Sequence, residues 1–251
     1  MIKYHGTPIT PKSVFYKMMP NRNALVSFVN QQDLEKVLEV CDKIMLDNGA
    51  FTFWKKYKKP KLEWDDYYAW VENLYDKIEV FIIPDIIEGS EEDNDVLLKT
   101  VPTQIKAKGI PVWHFNESLI RLARLVNDYD YIALGSSSKI SHCGTLEQRA
   151  LWYSKMEDVM QICCNSDGTP KVKLHMLRCL NPKVFGEYPF YSGDSTNVAQ
   201  NHYLYDSTKR NKKENIKGSG NGWERIVRRI EGTDSPNKYN FKKIKVRNEE
   251  I

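Results

Sequence analysis

The chain has 251 residues, and its hydrophobic fraction of 41% and charged fraction of 28% are those of a folded protein with a buried core. This composition excludes a chain that is disordered throughout, and no apolar run approaches the roughly 20 residues that a membrane-spanning helix needs. The formal net charge of +4 is unevenly distributed, because residues 201–251 carry 13 Lys and Arg against 7 Asp and Glu, whereas residues 1–200 carry 24 against 26.

Short apolar, β-branched runs alternate with longer amphipathic stretches along the first 200 residues. The predicted strands cover residues 25–29, 43–47, 80–84, 111–115, 131–135, 172–177 and 189–193. The predicted helices cover residues 32–41, 63–76, 91–108, 118–127 and 145–164. Strand followed by helix, repeated, indicates parallel strands with crossover helices. Seven or eight such units predict an α/β fold of the TIM-like (β/α)8 barrel type rather than an open doubly wound sheet.

From residue 201 onward the sequence becomes polar and basic, and KGSGNG (217–222) leads into a further predicted helix over 223–231. We therefore predict a barrel domain over residues 1–200 and a basic extension over 201–251 that packs on it. A net charge of +6 in this extension favours a nucleic-acid partner, although a solvated surface would have the same composition. The glycine-rich segment is either a linker or a backbone cradle for a phosphate.

The cysteines and the N-terminus indicate the compartment. Five cysteines, an odd number without metal-ligand spacing, predict free thiols in a reducing environment. The N-terminal sequence MIKYHGTPIT lacks the apolar run of a secretory signal. We expect a cytoplasmic protein, or one of the host cytoplasm if a virus encodes it, with no metal and no cofactor.

Polar residues interrupt the apolar pattern at the ends of the predicted strands, where a parallel barrel builds its chemistry. Each has an ordinary explanation, such as a turn-forming or helix-capping Asp, a core histidine or a core methionine. Together they place two or three carboxylates at one mouth, which is typical of nucleophilic and acid–base chemistry at a glycosidic carbon. The candidate site residues at or near the strand ends, including one glycine and one methionine, are Asp47, Asp85, His114, Gly135, His175, Met176 and Asp194.

Four segments between about residues 40 and 200 resemble motifs of one enzyme family. LDNGAF (46–51) is similar to the DSGGFQ-type segment of tRNA-guanine transglycosylases, and YIALGSSS (131–138) is similar to their Gly-Gly substrate loop. KLHMLRCLNP (173–182) resembles their HYLMG-type strand, and YSGDSTN (191–197) resembles the segment that carries their nucleophilic Asp. The cysteine-rich zinc site of the family has no counterpart, and the chain is short. Both departures resemble the compact branch that inserts 7-deazaguanines into DNA in phage and bacterial DNA-modification systems.

This resemblance implies a role for each candidate residue. Asp194 attacks C1′ of a deoxyguanosine and expels guanine, and a 7-deazaguanine such as 7-cyano-7-deazaguanine then displaces Asp194 while Asp47 moves the protons. The residues expected to bind the base are Asp85, His114, Gly135, Ser136, His175, Met176, Asn48 and Phe51. Those expected to bind DNA phosphates are Lys209, Arg210, Lys212, Lys213, Arg225, Arg228 and Arg229.

Three alternatives remain beside a DNA-modifying transferase. The protein could modify tRNA instead, since nothing in these residues identifies a contact to a 2′-hydroxyl. It could be a catalytically silent nucleic-acid-binding subunit that works beside an active partner. It could also be a barrel glycosidase or nucleosidase that uses Asp47 and Asp194 as its carboxylate pair. A homodimer is left open as the oligomeric state.

Overall fold

A computed structural model describes residues 1–57, 61, 63–201 and 222–241. Within these ranges, parallel strands alternate with helices in an α/β fold of the TIM-barrel type, as predicted. The strands are β1 (Ile2–Gly6), β2 (Asn23–Ser27), β3 (Ile44–Asp47), β4 (Val80–Ile82), β5 (Gly109–Ile110), β6 (Val112–His114), β7 (Tyr131–Gly135), β8 (Lys173–Met176) and β9 (Ser192–Ser195). The helices are α1 (Lys12–Met18), α2 (Leu34–Val40), α3 (Ala50–Tyr57), α4 (Asp65–Leu74), α5 (Glu91–Lys99), α6 (Leu119–Asp128), α7 (Leu146–Cys163), α8 (Pro182–Phe185), α9 (Asn197–Asn201) and α10 (Gly222–Glu231).

The barrel is nearly closed by a single extended segment around Pro111. The strand order is β5-β4-β3-β2-β1-β9-β8-β7-β6, so β5 and β6 lie at the two ends of the sheet although they are adjacent in sequence. Gly109 and Ile110 pair with β4, whereas Val112 to His114 pair with β7. Pro111 has no N–H to donate, but its carbonyl accepts a hydrogen bond from the Ala133 amide. This one segment therefore pairs with β4 through its first part and with β7 through its second part, so the barrel has eight strand positions.

Several elements differ from the sequence prediction. It does not contain the helices α1, α3, α8 and α9 or the strand β5. Two further differences have a physical reason. The strand β1 is not predicted, because IKYHG is short and contains His and Gly, yet it pairs with both β2 and β9, the last strand of the sheet in chain order. The predicted helix over 91–108 ends early, since α5 stops at Lys99 and only a 3-10 turn follows at Lys106–Lys108. Pro102 lies between them, and proline disfavours helical geometry at the residue before it.

Side chains alternate between the barrel interior and the helices, as the two-residue period of a strand requires. The outward residues pack against the helices in two large apolar clusters. The inward residues form a smaller apolar layer inside the barrel, which consists of Tyr4, Leu25, Met45, Ile82, Ile110, Val112 and Ala133. The next inward positions along several strands are polar, so the site described below lies on this apolar floor.

The described part of the basic extension contacts the barrel directly. On α10, Trp223, Val227 and Ile230 are buried, whereas Arg228 and Arg229 are exposed. Glu231 at the end of α10 accepts a hydrogen bond of 2.6 Å from the Arg22 guanidinium, which anchors the helix near β2. In the described ranges, no helix combines the length and apolar character that a bilayer crossing requires.

Candidate active site

The polar residues meet at the C-terminal mouth of the barrel because they end its strands or lie in the loops that follow. Asp47 lies two positions beyond the inward-facing Met45 on β3, and Asp194 lies two positions beyond Ser192 on β9. Asp85 lies in the loop after β4. His114 and Gly135 end β6 and β7 at the same level of the barrel. The strand register therefore gathers side chains that are far apart in sequence.

Asp47 is held in place at the end of β3 by two donors. Its Oδ2 atom accepts a hydrogen bond of 3.1 Å from the Ser27 hydroxyl and one of 3.0 Å from the Gly49 amide. Burial raises the pKa of Asp47 to about 7, and the negative charges of Asp194 and Asp85 add to this effect, while the two hydrogen bonds oppose it. A carboxyl group with this pKa can both donate and accept a proton near neutral pH.

Asp85 is fixed by one donor on each of its oxygens. Asn48 donates its amide to Oδ1 at 2.8 Å and also to the Ile83 carbonyl at 3.0 Å. The Nε2 atom of His114 lies 2.9 Å from Oδ2. Burial acts to lower the pKa of His114, but the hydrogen bond and charge of Asp85 outweigh it and the net pKa is raised. His114 therefore holds the second oxygen of Asp85 in place.

Gly135 is required by the close approach of this imidazole ring. A Cβ atom at position 135 would lie 2.7 Å from Nδ1 of His114 and 3.0 Å from its Cε1, both inside van der Waals contact. The loop of the predicted substrate segment thus packs against the ring that supports Asp85. Ser136 follows at a half-buried position, and its hydroxyl has no hydrogen-bond partner among the described residues.

Replacing Gly135 by Ala is expected to push the His114 ring away from Asp85, because the added methyl group has no space. The pKa of His114 should then fall, since burial would no longer be opposed by a close carboxylate. An NMR titration of the imidazole resonances measures this change. Ser136→Ala is the matched control, since it removes only an unpartnered hydroxyl, and an unchanged His114 titration in Gly135→Ala would contradict the packing.

Asp194 is positioned by a chain of hydrogen bonds that begins inside the barrel. Its Oδ1 atom lies 3.2 Å from Nε2 of His175 and accepts a hydrogen bond of 2.7 Å from the Arg178 amide. The Nδ1 atom of His175 lies 2.6 Å from the Ser192 hydroxyl, which also contacts the Tyr131 hydroxyl. Asp194 is only 5% exposed, so these contacts hold a nearly desolvated carboxylate in one orientation.

Arg178 links the Asp194 side of the mouth to the Asp47 side. Its backbone adopts a left-handed conformation, with φ of 60°, directly after β8, and this turn aims its amide at Asp194. Its guanidinium lies 3.8 Å from the centre of the Phe51 ring at the start of α3, within cation–π distance. This contact joins the loop after β8 to the start of α3.

The remaining predicted site residues do not lie at the carboxylate mouth or are not described by the structure. Met176 lies on the outward side of β8, fully buried in the core against the helices, so it does not face a bound base; its residue type suits this apolar position. Arg225, Arg228 and Arg229 all lie on α10. Lys209, Arg210, Lys212 and Lys213 lie outside the described residues.

Several residues of the site are absent from the sequence prediction. Ser27 and Ser192 support Asp47 and His175, and Arg178 contributes an amide and a guanidinium. Ser27 is a polar residue within an apolar run, which is the sequence signal that could have identified it. In the structure it ends β2 at the level where Asp47 ends β3. Glu117 accepts hydrogen bonds from the backbone amide of His114 and from the side chain of Asn94. It thereby supports His114, the partner of Asp85, from outside the barrel. It lies on a loop, where periodicity carries no information.

In the part of the chain that the structure describes, no group of three or more His, Cys, Asp or Glu residues could hold a metal ion. The site consists instead of three carboxylates on an apolar floor, each held by donors and close enough for Asp85 and Asp194 to raise the pKa of Asp47. Such a set can supply a nucleophile, a proton carrier and an acceptor for N–H groups.

No family model, curated protein or solved structure matches this chain.

Proposed function

We propose that the protein is a DNA-guanine transglycosylase, which exchanges guanine in DNA for a 7-deazaguanine through a covalent bond between Asp194 and the deoxyribose. The observation that carries this proposal is the convergence of Asp47, Asp85 and Asp194 at one mouth, where burial and mutual charge raise the pKa of Asp47 to about 7. The proposal also rests on the resemblance of the four strand-end segments to the transglycosylase motifs.

The orientation of Asp194 suits a nucleophile. Both of its hydrogen bonds within the described residues are made by Oδ1, which leaves Oδ2 for bond formation. Oδ2 attacks C1′ of the deoxyguanosine, the C1′–N9 bond breaks, and the departing guanine takes the bonding electron pair. His175 and the Arg178 amide hold the carboxylate still, so little reorganisation accompanies the attack.

Asp47 is suited to move the protons in both halves of the exchange. When it is protonated it donates to the departing guanine, and as a carboxylate it then accepts a proton from the incoming 7-deazaguanine. The nitrogen of that base attacks C1′ and releases Asp194. Two displacements at C1′ retain the configuration of the sugar. Both hydrogen bonds to Asp47 are made to Oδ2, so Oδ1 is the oxygen that faces the reacting bases.

Asp85 is the acceptor for the Watson–Crick edge of the purine. Guanine and 7-deazaguanines both present a ring N–H and an amino group there, and a carboxylate accepts from both at once. His114 and the side-chain amide of Asn48 hold the Asp85 carboxylate in place. A purine inside a duplex cannot reach this buried mouth, so the target nucleotide is flipped out or presented single-stranded.

Nucleoside mass spectrometry of DNA incubated with the protein and 7-cyano-7-deazaguanine tests the proposal. We expect a modified deoxynucleoside to appear and one free guanine to be released for each exchange. Modification of tRNA but not of DNA would show the tRNA-acting alternative, and release of guanine without exchange would show a glycosidase. Intact guanine in both nucleic acids would refute base exchange and leave a binding role.

A further inference from the structure

A cavity of about 500 Å³ lies beside the carboxylate mouth, between the loops that follow β8 and β9. Four cationic side chains from separate elements line it: Arg149 on α7, Arg178 after β8, Lys183 on α8 and Arg229 on α10. Among the residues that the structure describes, no Asp or Glu lines the cavity. The cavity is open to solvent on one side, so a group attached to a larger molecule can enter it.

The charges of this cavity are not neutralised by the part of the protein that the structure describes. None of its four cationic side chains forms an ion pair with a described carboxylate, whereas many cations elsewhere, such as Arg22 and Lys43, do. Like charges that converge without a counter-charge repel one another. An arrangement of this kind is typical of a site whose counter-charge is an anionic ligand.

Neutral polar residues complete the lining of the cavity. His142 lines it and is 7% exposed. Ser195 and Asn197 line the same cavity and offer further polar groups.

The cavity is adjacent to the carboxylate that the proposed function makes the nucleophile. Arg178 donates its amide to Asp194 while its side chain lines the cavity, and Ser195 directly follows Asp194. The loops after the last two strands of a TIM barrel frequently bind phosphate, and β8 and β9 are the last two strands here.

We infer that this cavity binds the DNA phosphodiester that adjoins the reacting deoxyguanosine, an inference that rests on the proposed function. The phosphate holds the sugar so that C1′ faces Asp194. The four cationic side chains carry more positive charge than the single negative charge of one phosphodiester can neutralise. The exposed Arg228 extends the positive surface along α10. These features favour a polynucleotide, with consecutive phosphates, over a free mononucleotide.

The test is the affinity of a fluorescent single-stranded oligonucleotide with one central guanosine for the double variant Lys183→Gln/Arg229→Gln. We expect the dissociation constant to rise at least about tenfold at roughly 0.1 M salt, because two charge-assisted contacts are lost. The matched control is Lys77→Gln/Lys106→Gln, which removes the same charge from two exposed positions that precede β4 and β5, at the opposite end of the barrel. It should change the constant by less than about threefold.

A neutral methylphosphonate linkage locates the phosphate. Placed next to the guanosine, it should weaken binding to the wild-type protein about tenfold, and moved several nucleotides away it should have little effect. The double variant should be insensitive to it at either position. Equal losses in the two double variants, or no dependence on where the linkage lies, would overturn the inference. Competition by deoxyguanosine monophosphate at the same concentration as the oligonucleotide would also overturn it.

A separate readout distinguishes this inference from the proposed function. The covalent adduct through Asp194, measured in the wild-type protein, reports base exchange independently of the two affinity measurements. If the wild-type protein forms no adduct but the double variant and the neutral linkage still weaken binding as expected, the phosphodiester site stands and base exchange fails. If the adduct forms and neither change affects binding, base exchange stands and the cavity has no such role.

Discussion

Replacing Asp194 by Asn is expected to abolish the covalent adduct between the protein and guanine-containing DNA. An amide oxygen is a far poorer nucleophile than a carboxylate, so it forms the bond to C1′ far more slowly. Asn can still accept the hydrogen bond from the Arg178 amide, so the fold should persist. Denaturing gel electrophoresis and intact-protein mass measure the adduct, which should fall by at least about 100-fold.

The matched control for this experiment is Asp158→Asn. Asp158 is an exposed carboxylate on α7, remote from the mouth, and the same change of charge there should leave adduct formation intact. Thermal melting of both variants checks that loss of the adduct is not loss of the fold. An undiminished adduct in Asp194→Asn would remove Asp194 from the nucleophile role and with it the proposed mechanism.

Replacing Asp47 by Asn is expected to stabilise the fold at high pH and to slow the exchange. The folded pKa of Asp47 is about 7, above the ordinary value of 3.8, because burial and two neighbouring carboxylates disfavour its charge. The folded state therefore binds more protons than the unfolded state between those two values. The stability that this proton contributes is fully present below about pH 3.8, is lost as the pH rises from there to about 7, and does not decrease further above that pH.

Thermal melting from pH 5 to pH 8 measures the effect on stability. We expect the Tm of Asp47→Asn to exceed that of the wild-type protein by several degrees at pH 8, and by less at pH 5, since about 1 kcal/mol moves Tm by about 2–4 °C in a chain of this size. Asp158→Asn again supplies the control. A constant difference in Tm across this range would show that Asp47 is not the titrating group.

The kinetics of the same variant test the proton-transfer role. Loss of general acid catalysis typically costs about 10²- to 10⁴-fold, so adduct formation should slow by that order while DNA affinity changes little. In the wild-type protein, the rate of adduct formation should fall as the pH rises above about 7, because Asp47 must carry the proton that guanine receives. A pH-independent rate between 6 and 9 would contradict this assignment.

The alternation of strands and helices could be predicted from the sequence because it is a local property. Seven apolar runs of strand length indicated the barrel, and one of them, β7, has the predicted bounds. The strand β1 escaped prediction because its five residues have too little apolar character, although pairing on both sides stabilises it in the barrel. The break after α5 depends on Pro102, whose effect periodicity alone does not register.

The sequence by itself determined which polar residues stand at strand ends, and so named Asp47, Asp85 and Asp194 as candidates. Only the tertiary structure decided that Ser27, Gly49 and Asn48 orient these carboxylates, that Met176 faces the helices, and that Arg178 joins two sides of the mouth. The reason is physical: strand identity depends on neighbours along the chain, whereas pKa, orientation and the gathering of four cations around one cavity depend on neighbours in space.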